Sequence, residues 1–218
     1  MKAVVIPVTA FAQNCSLVWC PRTMEGAVID PGGDLDQILA EADRNEVRLA
    51  RILLTHAHID HAGATAELAR LRKLPIVGPH RGDQFWIDSL AEQGRMFGLG
   101  ASESFTPDRW LDEGDRVEVG DIVFDVNHCP GHTPGHVTFF SAQERVAFVG
   151  DVLFQGSIGR TDFPGGDYQT LIRSIRDKLF PLGDDVQFVP GHGPMSTFGE
   201  ERRSNPFVGD AAVGGRAG

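Results

Sequence analysis

The sequence predicts a mixed α/β protein in which two sheets pack together with helices outside them. Three observations carry this reading. Short runs rich in Val, Ile and Phe recur along the chain, and amphipathic helical patterns separate some of them. The runs at 122–127, 137–141 and 145–150, however, follow one another with few helical residues between. Strands of both kinds argue for two packed sheets rather than one uniformly parallel sheet.

In chain order, the strands expected are VVIPV at 4–8, SLVWC at 16–20, GAVID at 26–30, RILLT at 51–55, IVFDVN at 122–127, VTFFS at 137–141, RVAFVG at 145–150 and VQFVP at 186–190. β-branched and aromatic residues dominate each, with turn formers at the ends. Helices are expected at Asp34–Asn45, Ala62–Leu71, near Asp83–Glu92 and at Tyr168–Phe180, where Leu171, Ile175, Lys178 and Leu179 mark one face. No internal repeat is visible. Residues 1–208 form one domain in this reading, and the Gly-rich stretch 209–218, GDAAVGGRAG, a flexible tail.

Composition narrows the function. A hydrophobic content of 41% fits a globular core. Formal charge is −10, and no basic run exceeds the Arg202–Arg203 pair, so a track for nucleic-acid phosphates is missing. Cys15, Cys20 and Cys129 have neither CxxC spacing nor an even count, which suits reduced thiols. The N-terminal MKAVVIPVTAFAQ mimics a secretory signal, but Pro7 and Thr9 break its apolar run and Val4–Ile6 read better as a strand. No apolar stretch approaches the ~18 residues that span a bilayer. A soluble cytoplasmic protein, without nucleic-acid or membrane partners, is expected.

The chemistry lies where strands end. RILLT runs into HAHIDH (His56, His58, Asp60, His61), IVFDVN into HCPGHT (His132), RVAFVG into Asp151 and VQFVP into GHG (His192). If those ends share one edge of the sandwich, their loops converge, and Gly131, Gly150, Gly191 and Gly193 allow tight backbone there. The seven candidate ligands exceed the four or so that one zinc takes, whereas two metals sharing Asp151 would take four each. His56 and His58, two apart on an extended segment, can face one metal. Asp60 and His61, where the chain turns into a helix near Ala62, can face the other. A lone loop histidine is more often a hydrogen-bonding residue, so His80 and His128 are set aside, and His136, opening a strand, is expected to be structural.

HAHIDH fits an HxHxDH signature. Together with TAFAQNCSLVW near the start, VIDPGG at 28–33, HCPGHTPGH at 128–136, GDVLF at 150–154, GRTDFPGGD at 159–167 and PGHGP at 190–194, it resembles the metallo-β-lactamase-fold hydrolases. Among them it is similar to the small single-domain bacterial type II glyoxalases, the hydroxyacylglutathione hydrolases, over residues 1 to about 207. The resemblance implies an αβ/βα four-layer sandwich with a dinuclear metal site at one edge. It assigns His56, His58 and His132 to one metal, Asp60, His61 and His192 to the other, and Asp151 to the bridge.

Two divalent ions sharing a water would lower its pKa toward ~7 and supply hydroxide as nucleophile. By family likeness Asp60 both ligates and orients it. Zinc is taken first, although His and Asp ligands suit iron and manganese as well. The implied substrate is S-D-lactoylglutathione or a related acyl-glutathione, with Arg160 as a candidate for a glutathione carboxylate, in competition with ion pairing to Asp162 or Asp167. The longer glyoxalases use a C-terminal helical domain for part of their glutathione contacts, and little sequence follows His192 here, so broad thioester specificity is expected. Two alternatives stay open: an Fe(II)-dependent glutathione persulfide dioxygenase of the same fold, and a non-catalytic metal-binding protein.

Overall fold

The computed structural model describes residues 1–99 and 102–214, with side chains described as far as residue 212. Gly100, Ala101 and residues 215–218 of the expected tail lie outside the described residues.

The first sheet has the order β1 (Lys2–Val8), β2 (Gln13–Trp19), β3 (Glu25–Ile29), β4 (Arg48–Leu53), β5 (Ile76–Val77). β1, β2 and β3 pair antiparallel through short turns, and β3, β4 and β5 pair parallel. The parallel steps need crossovers. Helix α1 (Leu35–Arg44) supplies the first, and α2 (Ile59–Ala62) with α3 (Thr65–Arg72) the second. Helices α4 (Gln84–Asp88) and α5 (Leu90–Phe97) follow.

The second sheet contains β6 (Arg116–Val119), β7 (Ile122–His128), β8 (Val137–Ser141), β9 (Val146–Gly150), β12 (Gln187–Pro190) and β13 (Ser196–Thr197), in the order β13-β12-β9-β8-β7-β6. A small hairpin, β10 (Leu153–Phe154) and β11 (Ser157–Ile158), follows β9. The crossover from β9 to β12 is α6 (Tyr168–Arg173), which continues as a π-helical turn over Ser174–Leu179. β12 then pairs parallel with β9, and α7 (Phe198–Ser204) and α8 (Asp210–Gly214) close the described chain.

Three apolar layers follow from side-chain alternation on strands buried on both faces. Val18, Ala27, Ile29 and Leu53 of the first sheet meet Val117, Phe124, Val126, Phe139 and Phe148 of the second. The neighbouring residues Leu17, Val28 and Ile52 point the other way, onto Ile38 of α1 and Leu68 of α3. On the far side Phe140, Ala147 and Phe188 meet Leu171, Ile175 and Leu179, spaced by four along the α6 segment, and Phe198 of α7. The result is the αβ/βα four-layer sandwich.

Several boundaries differ from the sequence reading. The helix expected from Ala62 begins at Ile59, so Asp60 and His61 lie within its first turn. The segment 83–92 is two helices rather than one. Lys178, assigned to the apolar face of α6, instead reaches out to Glu113 Oε2 (2.7 Å) and the His128 carbonyl (2.6 Å). In the expected tail, Asp210–Gly214 forms α8, and Arg176 bonds the Val208 carbonyl at 2.7 Å and Asp210 at 3.2 Å.

Candidate metal centre

The two sheets are sewn together at the edge where strands β4, β9 and β12 end. Val137 N donates to the Thr55 carbonyl (2.8 Å), and Asn14 N to the Gly191 carbonyl (2.7 Å). The Asn14 side-chain amide adds bonds to the Pro190 and Gly193 carbonyls. These bonds fix the register between loops that are far apart in sequence.

All seven sequence-predicted ligands meet there. His56, His58 and His132 form one group whose facing atoms lie within 4.8 Å of one another, and Asp60, His61 and His192 form a second. His58 Nδ1 is 2.9 Å from His132 Nε2, and Asp60 Oδ2 is 3.1 Å from His192 Nε2. Asp151 reaches both groups: Oδ1 is 3.3 Å from His61 Nε2, while Oδ2 is 3.6 Å from His132 Nε2 and 3.7 Å from His192 Nε2.

The donors match what a cation requires. His56 Nε2, His61 Nε2 and Asp151 Oδ1 are buried with no hydrogen-bond partner among the described residues, and buried polar atoms are rarely left so. The opposite ring nitrogens are engaged. His56 Nδ1 contacts Thr55 Oγ1 (3.1 Å), His61 Nδ1 Asp30 Oδ2 (2.9 Å), His132 Nδ1 the Arg160 carbonyl (2.7 Å) and His192 Nδ1 the Phe11 carbonyl (3.3 Å). Such outer contacts fix the tautomer and turn the free lone pair inward. His58 is different: its Nε2 has no acceptor, and its ring is gripped edge-on by Trp86 (4.6 Å) and Phe163 (5.1 Å).

Electrostatics divides the site in two. Burial, then the neighbouring imidazoles, pushes His56 far below the usual histidine range and His58 to about 3, and burial also lowers His132. These rings are neutral near pH 7, as metal ligation demands. In the other half burial also opposes charge, but Asp151 and Asp60 outweigh it and raise His61, and Asp60 with Asp151 raises His192. Burial would raise Asp60 and Asp151, yet His61 foremost holds both carboxylates below their normal range.

Residues outside the sequence-based ligand count brace the site. Asp30, buried at the end of β3, accepts from Thr55 N (2.7 Å), Thr55 Oγ1 (2.6 Å) and His61 Nδ1. It also forms a compact group with His56 and His61, but through a carboxylate already filled by these bonds, so it stands behind the centre. Asp83 is fully buried and accepts from Ala57 N (3.1 Å), Thr133 Oγ1 (2.8 Å) and Gly135 N (2.6 Å), joining HAHIDH to the loop of His132. Gln93 of α5 accepts from Ile59 N at the start of α2 (3.2 Å). The strand-end pattern was a signal for Asp30, because GAVID ends in it; Asp83 ends the 3-10 turn Arg81–Asp83 before α4, where the sequence showed a helix start but no sign of a bracing role.

The remaining candidates stay outside. His136 is fully buried and its Nε2 accepts from Asp151 N (3.0 Å), a structural role. His80 and His128 stack on each other at 4.1 Å and serve loop hydrogen bonds. The Arg160 guanidinium pairs with Asp162 (2.7 Å) and lies 4.3 Å over the Phe163 ring, so of Arg160 it is the carbonyl that touches the ligand set. The three cysteines are free and buried.

A family model described as the metallo-beta-lactamase superfamily matches residues 8–192, spanning the fold and every one of these ligands. The chain belongs to that superfamily. Within it, the chain is 48% identical over 209 residues to a Haemophilus influenzae protein named hydroxyacylglutathione hydrolase GloC, covering 95% of this chain and 98% of that one. Among solved structures, the B3 metallo-beta-lactamase BLEG-1 superposes with a TM-score of 0.87 at 35% identity, over 95% of this chain and 99% of that one. TTHA1623, described in a di-iron-bound form, superposes with a TM-score of 0.85 at 37% identity, over 94% and 99% of the two chains. Like other members of the metallo-beta-lactamase superfamily, this chain carries a His/Asp constellation suited to divalent ions; among the described residues no helix is long and apolar enough to cross a membrane.

Proposed function

We propose that this protein is a metal-dependent thioester hydrolase that cleaves acyl-glutathiones, S-D-lactoylglutathione among them, to a hydroxy acid and glutathione. The observation that carries the reading is Asp151 standing between two ligand groups, within 3.3–3.7 Å of His61, His132 and His192. The likeness to the Haemophilus hydrolase supports the substrate class.

His56, His58 and His132 would hold one ion, Asp60, His61 and His192 the other, and Asp151 both. Zinc suits these donors, as do iron and manganese. Ions held there would supply a water acidified toward ~7 as nucleophile and polarisation of a substrate carbonyl.

The chain's own groups do the rest. Asp60, whose Oδ2 lies 3.1 Å from His192 Nε2, would share an ion with it and orient the attacking water. The Asp30 carboxylate holds His61, and the Arg160 carbonyl holds His132, so neither imidazole can turn its lone pair away. The departing thiol has a pKa of about 8.5, so it leaves as thiolate without a general acid. The Arg160 guanidinium, exposed above Phe163, can exchange Asp162 for a glutathione carboxylate.

The test is hydrolysis of S-D-lactoylglutathione by protein of measured metal content, repeated with Asp60→Ala and Asp151→Ala. The reading expects loss of about a hundredfold or more in kcat/KM for Asp60→Ala and loss of metal for Asp151→Ala. Full activity in both variants would refute it, and oxygen consumption with glutathione persulfide by a one-iron protein would favour the dioxygenase instead.

A further inference from the structure

The mouth of the centre is chemically lopsided. On the His58 and His132 flank, Phe163 carries a cation, the Arg160 guanidinium, 4.3 Å above its ring. That flank also carries the aromatic rings of Trp86 and Phe163 against His58, so what sets it apart is the guanidinium; on the His192 flank the exposed side chains Phe11, Met96, Phe97 and Met195 are apolar and carry no cation. Phe11, whose carbonyl holds His192 Nδ1, packs its ring edge-on against Phe97 at the end of α5, with centroids 6.0 Å apart. Both rings stay about half exposed, at 44% and 47%, and Met96 beside them is 70% exposed. Phe154 meets the His192 ring edge-on at 6.3 Å, and Met195, three residues after His192, is 45% exposed. Asn14 bonds the Gly193 carbonyl and so keeps that segment beside the β1–β2 turn.

Scattered exposed apolar residues need no explanation, but a contiguous group beside a reactive centre does. Half of the large exposed apolar side chains among the described residues lie on three segments near His192: Phe11 and Met195 flank it directly, and Met96 and Phe97 belong to α5, whose Phe97 meets Phe11; Leu71, Phe85, Val123 and Phe207 are the others. Phe11 lies in the β1–β2 turn and Phe97 at the end of α5, and the backbone around each is bonded to a segment that carries ligands. Phe11 is tied to His192 through its carbonyl, and the helix of Phe97 is tied to α2 by the Gln93–Ile59 bond. These bonds hold the backbone that carries the two rings beside the ligand set.

We infer that the Phe11–Phe97 pair is an acyl-group subsite, which seats an apolar acyl chain on the His192 flank while the glutathionyl arm lies toward Arg160. The inference rests on the thioester hydrolase reading and sharpens it: the preferred substrates are glutathione thioesters with an apolar acyl body, ahead of the small polar lactoyl group. The two flanks match the two ends of such a molecule, hydrocarbon on one side and carboxylates on the other.

The experiment is a series of S-acetyl-, S-butanoyl- and S-hexanoylglutathione, with kcat/KM measured on protein of known metal content. Calorimetric titration with S-methyl-, S-butyl- and S-hexylglutathione runs beside it and needs no turnover. Wild type is expected to gain about two- to fourfold per methylene in both series, as for methylenes that are only partly buried. Phe97→Ala and Phe11→Ala should flatten that slope. Phe97→Leu should preserve it, as should Leu71→Ala, a change at an exposed apolar residue of α3. A flat series in wild type, or the same slope in Phe97→Ala, overturns the inference. So does a Phe97→Ala effect confined to the thiol carrier, since it would reverse the orientation. Hydrolysis of every ester at one rate defeats this inference alone; hydrolysis of none defeats the hydrolase reading, while the S-alkyl titrations still decide whether the apolar subsite exists.

Discussion

His58 Nδ1 and His132 Nε2 face each other at 2.9 Å across planes that are nearly perpendicular, at 88°. His58 follows β4 of the first sheet and His132 lies in the loop after β7 of the second, so whatever bridges these nitrogens also bridges the sheets. Adding zinc to chelated protein should therefore raise the melting temperature. At a free ion concentration a thousandfold above Kd the gain is about 4 kcal/mol. Thermal melts with and without metal measure it, and His132→Ala should remove most of the response.

Asp30 and Asp83 are buried carboxylates whose direct holds fall on different halves of the centre, Asp30 reaching His56 only through Thr55. Asp30 holds His61, while Asp83 joins Ala57, between His56 and His58, to Thr133, next to His132. Asp30→Asn is expected to weaken the Asp60/His61/His192 half about 10- to 100-fold, and Asp83→Ala the all-histidine half by a similar factor. Metal stoichiometry should drop toward one ion per chain in each variant. Cobalt substitution would then show an ion among three histidines in the first and a mixed Asp/His ion in the second. Simultaneous loss of both ions in both variants would contradict separate bracing.

Asp83 also gives a pH signature. Burial pushes its carboxyl up to about 7, against the pull of Thr133, Gly135 and Ala57. In the unfolded chain it titrates near 3.9. The native protein thus holds the extra proton between those values, and the stability contributed by this group is full below about pH 4 and lost as pH rises through about 7. Asp83→Asn does not titrate. Its stability relative to wild type should rise by about 2–3 kcal/mol from pH 5 to pH 8. Urea unfolding of the metal-free proteins at the two pH values reads the difference, and an unchanged difference would mean that the three donors keep Asp83 ionised throughout.

Gly191 tests how tightly the centre is built. A Cβ there would overlap Asp151 Oδ1 and stand 2.6 Å from His61 Cε1, while Gly191 N and its carbonyl are both bonded, to Gly150 and Asn14. The backbone cannot retreat without breaking the β9–β12 or cross-sheet contacts. Gly191→Ala should displace Asp151 and cost at least one metal with most of the activity. Gly156→Ala is the paired control: nothing lies within 4 Å of its would-be Cβ, so it carries only the backbone strain of its left-handed φ of 66°, about 1 kcal/mol, and should keep both metals. Metal analysis of the two purified variants decides it.

Much of this centre was legible in the sequence because strand ends are local features. RILLT before His56 and VQFVP before His192 can be read from a few residues each, and the ligand count then demands convergence. What brings them together is not local. The Asn14–Gly191 and Thr55–Val137 bonds join segments far apart in the chain, and Asp83, legible as a helix start, makes its bracing bonds to Gly135, far from it in sequence. The two-residue strands β5 and β13 carry too few side chains to show alternation, so they went unseen. The early start of α2 has a similar cause. A single turn gives no helical period, and Asp60 and His61 read as polar loop until their fixed directions are known.

The order of the strands along the chain bears on how the protein matures. β12 enters the second sheet beside β9, which was made long before it, and brings His192 to a site whose first imidazole came with β4. A ribosome must therefore release β12 before the paired ligand sets exist, and any ion captured by HAHIDH on the nascent chain is held by an incomplete shell. The ligand set that needs His192 would thus be the last to form, and an ion held there would answer to the metal supply met late in synthesis rather than to the one present as it begins.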